Sequence, residues 1–482
     1  MSHRLLVGLA IAAAITRCTV GPDYVPPEAK APDRWTERQD APPGSNQPAL
    51  QRLRHWWSEF QDPMLDRLVD QAIAGNYDVK IATQRLVIAR ANRDIAASGA
   101  YPSVGFAASA QRAASSTTAR FTPGIGPFPA ASAFNTFQGG FDASWEIDVF
   151  GGIRRGIEAA DASVGAAVED RRDVLLSLLA ELGVNYATLR ASQERLAIAQ
   201  RNIAAAQQAF ALTKRRFDRG LVSDIDVAQA GAQLETFEAV VPQLEATIAT
   251  TTHAIALLLG RLPGDFESEL SKPGRVMPVP PSLPVSMPSD VVRERPDIRR
   301  AERALASATA EVGVAVAQLF PRFNIPLSLG LLSGTIGQLL TGGSVAWGFG
   351  LAVSQPIFEG GRLEAQVRLT KAVAEQDRLA YEQTVLAAFR DVEDALVSFY
   401  SEERRRAQIA AAVADNRKAL DSATRLYGAG LTDFLRVLDS QRSLYAAEDS
   451  LALSDLAKVL QTIALLKALG GGWQDIDPGD QG

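Results

Sequence analysis

The sequence predicts an α+β membrane protein made from a duplicated unit of two β-strands plus a long α-helical hairpin. Three observations carry this reading. The chain describes the same object twice, from Tyr101 and again from Phe320. Each copy opens on two segments of strict two-residue alternation, about ten residues long, the length a tilted strand needs to cross a bilayer. Each then changes to an Ala-rich helical pattern broken once by Gly-Leu, at Gly220-Leu221 and at Gly430-Leu431. Phe150-Gly151-Gly152-Ile153-Arg154 in the first copy echoes Phe358-Glu359-Gly360-Gly361-Arg362 in the second.

Bulk properties exclude other classes. The chain has 482 residues and a net charge of −6, with no basic stripe to offset phosphate repulsion, so nucleic acid is not a partner. Its single cysteine, Cys18, permits no intrachain disulfide and no Cys-based metal site. His3, His55 and His253 are scattered, and no nucleophile–base pair is visible, so the chain is not read as an enzyme and needs no metal or cofactor. Residues 1–17 read as a lipoprotein-type signal peptide: His3 and Arg4 are positive, and Leu5 to Ile15 is apolar but too short to span a bilayer. Cys18 then stands where such a signal places its lipidated residue, the N-terminal lipid anchor being the only attached group implied. An extended, proline-rich segment fills 18–55. No later stretch reads as a transmembrane helix, so membrane residence falls to strands.

The first repeat, 56–260, carries strands at about 101–113 and 137–149; the second, 290–473, carries them at about 321–332 and 344–356. In the second strand Phe141, Ala143, Trp145 and Ile147 alternate with Asp142, Ser144, Glu146 and Asp148. A soluble sheet with one buried face is the alternative, but acids on one face and large aromatics on the other fit water inside and lipid outside. Asp142, Glu146 and Asp148 are therefore expected to face the lumen. Pro326 must also face the lumen or lie beside a bulge, because it cannot donate to a ladder. Four strands cannot close a barrel, and open edges are not tolerated in lipid, so the barrel must be shared between chains. The loop from Ala114 to Thr136 is long and belongs outside the cell, with the helices on the periplasmic side.

Helical runs from about Arg154 to Arg219 and Leu363 to Tyr427, some 65 residues at about 1.5 Å each, reach roughly 100 Å. Alanine runs let neighbouring backbones approach, as in coiled-coil packing of antiparallel hairpins, and Arg404-Arg405-Arg406 reads as a solvated face. Gly220 and Gly430 suit the left-handed position that ends a helix, with Ser223 and Thr432 or Asp433 as caps of the returning helix. A proline-rich linker at 261–289 separates the repeats, Arg295-Pro296-Asp297 opens the next helix in a capping role, and 474–482 forms a tail.

At these residues the chain resembles the TolC-type outer-membrane efflux proteins, in their NodT-like lipoprotein branch. The resemblance is carried by Cys18-Thr19-Val20-Gly21-Pro22-Asp23-Tyr24, by Trp56-Trp57 with Asp62-Pro63, by Arg295-Pro296-Asp297-Ile298-Arg299-Arg300-Ala301-Glu302 and by the ending Ala468-Leu469-Gly470-Gly471-Gly472-Trp473. It implies a homotrimer in the outer membrane of a Gram-negative bacterium, a trimeric 12-stranded β-barrel continued by a periplasmic α-helical barrel. It implies the passive exit duct of a tripartite multidrug efflux system, meeting a periplasmic adaptor and an inner-membrane pump. The exit duct of a type I protein-secretion system and a non-conducting structural envelope lipoprotein are the alternatives. Carried over by position, the periplasmic gate falls on Leu435, Asp439 and Arg442, with Tyr427 and Arg436 nearby. An Asp439–Arg442 pair at i,i+3 would offset repulsion in a ring of acids. Adaptor docking falls on Gly220, Leu221, Gly430 and Leu431.

Overall fold

A computed structural model describes residues 19–28, 31–36, 47–114, 133–280, 285 and 288–476; Cys18 and the signal segment lie outside the described residues. Among the described residues the α-helices are, in chain order, α1 (Gln47–Arg54), α2 (Pro63–Gly75), α3 (Tyr77–Ser98), α4 (Gly152–Phe217), α5 (Asp224–Glu238), α6 (Val240–Leu258), α7 (Glu267–Leu270), α8 (Pro288–Glu294), α9 (Pro296–Ala317), α10 (Arg362–Gly428) and α11 (Phe434–Ala468). The chain divides into two compact units. One comprises the described part of Met1–Pro27 with Val87–Gly165 and Glu302–Leu379; the other comprises Glu28–Leu86, Ala166–Ala301 and Ala380–Gly482.

The first unit holds the sheet, in the order β1 (Ser103–Ala114), β2 (Ala133–Ile147), β3 (Arg322–Ser333) and β4 (Val345–Phe349), all antiparallel, with β5 (Ala352–Ser354) continuing β4 along β3. The copies meet at β2–β3, where Phe141 faces Leu329 and Asp142 faces Ser328. Period-two alternation sorts the faces as expected. Phe106, Phe141, Leu329 and Trp347 share one row, and Gly105, Asp142, Ser328 and Gly348 the next row, on the opposite face. The apolar row is uncovered, Phe141 being 58% and Trp347 77% exposed. Pro326 lies on the polar face and also opposite the interruption between β4 and β5, where the Gly350 N–H still donates to the Pro326 carbonyl at 3.2 Å. The missing N–H of proline accounts for the break. At Gly140 and Gly330 the strands approach so closely that a Cβ on Gly140 would lie 2.7 Å from the Gly330 Cα. β2 starts four residues before Phe137, the first residue of its clear alternation, because Ala133 to Thr136 still pair with β1.

The second unit is helical around a core that includes Trp56, Phe60, Leu182, Tyr186, Ile255 and Leu466. Entry to this core is fixed at α2 (Pro63–Gly75), whose N-cap Asp62 accepts from the Met64 N–H and from the Tyr186 hydroxyl. Each helical hairpin has a long outgoing arm, α4 (Gly152–Phe217) or α10 (Arg362–Gly428). The second hairpin returns as one helix, α11 (Phe434–Ala468), whereas the first returns as α5 (Asp224–Glu238) and α6 (Val240–Leu258). An unbroken return was expected for both. Pro242 explains the break, since its ring cannot accept a helical carbonyl four residues earlier; counted from the tip glycines, the second copy has Ala452 there. An 18-residue window of α4 is apolar enough to pass as a membrane span, against expectation, but 67% of it is buried inside the protein, so its apolarity answers to packing.

The linker after α6 is clamped by polar side chains. Arg190 donates to the Lys272 carbonyl at 3.0 Å and to the Tyr186 hydroxyl, Gln193 to the Leu270 carbonyl, and Glu194 accepts from the Val276 N–H. Arg295 does more than sit beside a cap. It is buried, doubly bonded to Asp297, and reaches Asp391 and the Ala468 carbonyl. Arg406 likewise pairs with Asp455 of α11, so the arginine run is not wholly a solvated face.

Candidate channel wall and helix tips

In the first unit the polar face of the sheet is the candidate wall. Asp142 and Glu146 are exposed on it. Asp148 departs from the expected lumen role. The strand stops at Ile147, and the Asp148 carboxylate accepts from the Ile153 and Arg154 N–H groups at 3.1 and 2.9 Å and from the Arg154 guanidinium. It satisfies the orphan donors at the start of α4, a task that overrides strand parity. Both outer strands, β1 and β4 with β5, leave one edge unpaired among the described residues.

In the second unit the two helix tips are built alike. Gly220 and Gly430 adopt φ of +66° and +74°. The Leu221 N–H donates to the Arg216 carbonyl at 3.0 Å, and the Leu431 N–H to the Leu426 carbonyl at 2.9 Å, the reversed six-residue closure of a glycine-ended helix. Asp226 accepts from the Ser223 N–H and hydroxyl, and Asp433 accepts from the Arg436 N–H, so Asp433 rather than Thr432 is the second cap. This geometry leaves Leu221 and Leu431 pointing outward, 68% and 74% exposed.

The residues of the second hairpin expected at a gate sort differently. Leu435, Arg436, Asp439 and Arg442 are exposed, while Tyr427 is buried against Phe434 with ring centroids 5.4 Å apart. Arg442 does not pair with Asp439. Its guanidinium donates to the Gln233 side chain of α5, and Asp439 has no ion pair among the described residues. Two residues that sequence reading passed over join the tips. Gln233 receives Arg442, and Arg216 lies 4.4 Å over the Tyr427 ring while donating to the Tyr427 and Gly428 carbonyls at 3.1 and 3.2 Å. Arg216 was signalled by the cationic run Lys214-Arg215-Arg216 at a helix C-terminus, where such side chains meet free carbonyls.

A sheet with an uncovered apolar face, a polar face bearing acids and two open edges, in a chain whose helices form paired hairpins, defines an outer-membrane channel protein. The chain belongs to the outer membrane efflux protein family, which it matches over residues 68–261 and 287–471. It is 32% identical to Nodulation protein T of Rhizobium leguminosarum bv. trifolii over 96% of both chains. It is 28% identical to the probable efflux pump outer membrane protein TtgC of Pseudomonas putida, over 98% of this chain and 96% of that one. Among solved structures the outer-membrane channel OprN matches with a TM-score of 0.85 and 35% identity, covering 95% of this chain and all (100%) of the other. The protein is thus an outer-membrane efflux channel of a Gram-negative bacterium.

Proposed function

We propose that three copies of this chain close a 12-stranded barrel that conducts toxic small solutes passively, from a periplasmic adaptor and inner-membrane pump to the exterior. The observation that carries this reading is the sheet, which shows lipid an apolar face but cannot end in lipid with both edges unpaired. Its likeness to TtgC, named as an efflux pump outer membrane protein, supports the assignment to export by a pump. Lipidation of Cys18 fits the same picture. The Val20 N–H donates to the Phe150 carbonyl at 3.1 Å, and Thr19 packs on Gly151, so the chain just after the cysteine lies at the end of a membrane strand. Gly220, Leu221, Gly430 and Leu431 form the adaptor-docking tips, where stiff, capped turns present exposed leucines.

The gate is Leu435 with Asp439 and Arg442, held shut by Arg442 on Gln233 and by Arg216 on Tyr427. Planar-bilayer recording tests the whole reading. The full-length chain should insert as a nearly closed channel, and Gln233→Ala or Arg442→Ala should raise its resting conductance several-fold. Absence of any conductance from the chain and both variants removes the channel; conductance that neither variant changes removes the gate.

A further inference from the structure

Within the first unit the strand-to-helix junctions of the two copies are packed unequally. In the first copy, between β2 and α4, Phe150 stacks on Phe320 with centroids 4.6 Å apart and planes at 26°. Phe320 lies just ahead of β3, so this stack joins the exit of one copy to the entrance of the other. The two phenylalanines also stand where the β2–β3 register would continue, three residues past the terminal pair Ile147–Phe323. Val149 and Val314 beside them are half-buried, and a Cβ on Gly152 would already touch Ala317 at 3.1 Å.

The duplication assigns each of these side chains a counterpart. Matching Phe150-Gly151-Gly152 to Phe358-Glu359-Gly360 pairs Phe150 with Phe358 and Val149 with Ile357. Matching Phe320-Pro321 to Tyr101-Pro102 pairs Phe320 with Tyr101 and Val314 with Ile95. The counterparts are bare: Phe358 is 88%, Ile357 87%, Tyr101 72% and Ile95 69% exposed. Gly360 and Gly361 have nothing within 4 Å, where the first junction is filled. Phe358 follows β5 on one open edge of the sheet, and Tyr101 precedes β1 on the other. The two halves of an unmade stack therefore sit on opposite edges of a sheet too small to close on itself.

We propose that Phe358 of one copy stacks on Tyr101 of the next, reproducing at each seam between chains the contact that Phe150 and Phe320 make within a chain. A second copy of this chain is the occupant, because only another copy offers the complementary half at the complementary edge. The register agrees. Carrying the β2–β3 offset to the seam, five residues back from Phe358 and five on from Tyr101, sets Val353 opposite Phe106, both on the apolar face. With Ile357 and Ile95 covered alongside, the seam seals the rim just beyond the strands, where an open edge would admit water.

This inference rests on the homotrimer reading, and the test separates the two. Tyr101→Cys and Phe358→Cys are made singly and together in the full-length chain, cell envelopes are treated with a short bis-maleimide, and products are resolved by denaturing electrophoresis. Native mass spectrometry of untreated protein gives the oligomeric state. The double variant should yield covalent dimers and trimers and the single variants, which retain the native Cys18, none. A Phe150→Cys/Phe320→Cys chain should cross-link only within itself. A native trimer whose double variant yields no covalent oligomer, or whose single variants cross-link equally well, overturns the contact and leaves the trimer standing. A native monomer overturns both.

Discussion

At the scale of single residues, burial and competition between partners decide roles that local spacing does not. Asp173 illustrates this in the second unit. Burial, partly countered by Arg300 and reinforced by Asp297, raises its carboxyl above the ordinary value of 3.8. A raised carboxyl makes the folded state hold more protons than the unfolded state. Its stabilising contribution is complete below the ordinary value and is lost as pH rises through the raised one. Asp173→Asn should therefore flatten the decline of thermal stability between acid and neutral pH, read by melting of the detergent-solubilised protein at stepped pH. Glu311, also raised by burial, keeps part of the slope. An unchanged pH profile in Asp173→Asn would show that the carboxyl ionises freely. Arg442 makes the same point about competition. An i,i+3 spacing favours Asp439, yet Gln233 on a neighbouring helix takes the guanidinium, a contact that no single-helix pattern contains.

At the scale of elements, the tips have a sharp conformational requirement. A Cβ at Gly430 would meet nothing within 4 Å, so Gly430→Ala is opposed only by its φ of +74°. That strain costs about 1–2 kcal/mol. The Leu431 amide, which donates to Leu426, should then lose roughly 5- to 30-fold protection in hydrogen exchange. Gly428→Ala, at the last residue of α10 and equally unobstructed but without a positive φ, should gain protection instead. Equal effects at the two positions would dispose of the left-handed turn as the cause. The glycines, both hairpins and the faces of all strands were legible because each rests on a local rule: positive φ, a 3.6-residue or a two-residue period. Pairing of β2 with β3 was not, because alternation fixes a face and not a partner. Asp148 misled for a related reason. Parity grouped it with Asp142 and Glu146, but the strand had already ended and the open donors of α4 claimed it. Pro242 was legible, a proline inside a helical run, and it should have split the first return into α5 and α6.

At the scale of the whole molecule, channel function depends on what the wall would offer to a passing ion once three chains close it as proposed. Among the described residues the polar face of the sheet carries two free acids, Asp142 and Glu146, since Asp148 is held by Arg154 at the junction. Arg322 lies on the same face and opposes them near the start of β3. The balance is still negative, so in a ring of three the lumen should favour cations, the preference set by rings of acidic side chains in other pores. The effect is one of exposed charge and falls off over a screening length of about 10 Å at 0.1 M salt and about 3 Å at 1 M. Reversal potentials in a salt gradient should therefore show cation preference at low ionic strength, weakening as salt rises. Asp142→Asn with Glu146→Gln should abolish the preference or reverse it, leaving Arg322 in charge, while Asp148→Asn should scarcely change selectivity and should instead destabilise the start of α4 by about 1 kcal/mol. Anion preference in the unmodified channel, or selectivity that follows Asp148 rather than Asp142 and Glu146, would mean that the polar face of the sheet is not the surface the ions see.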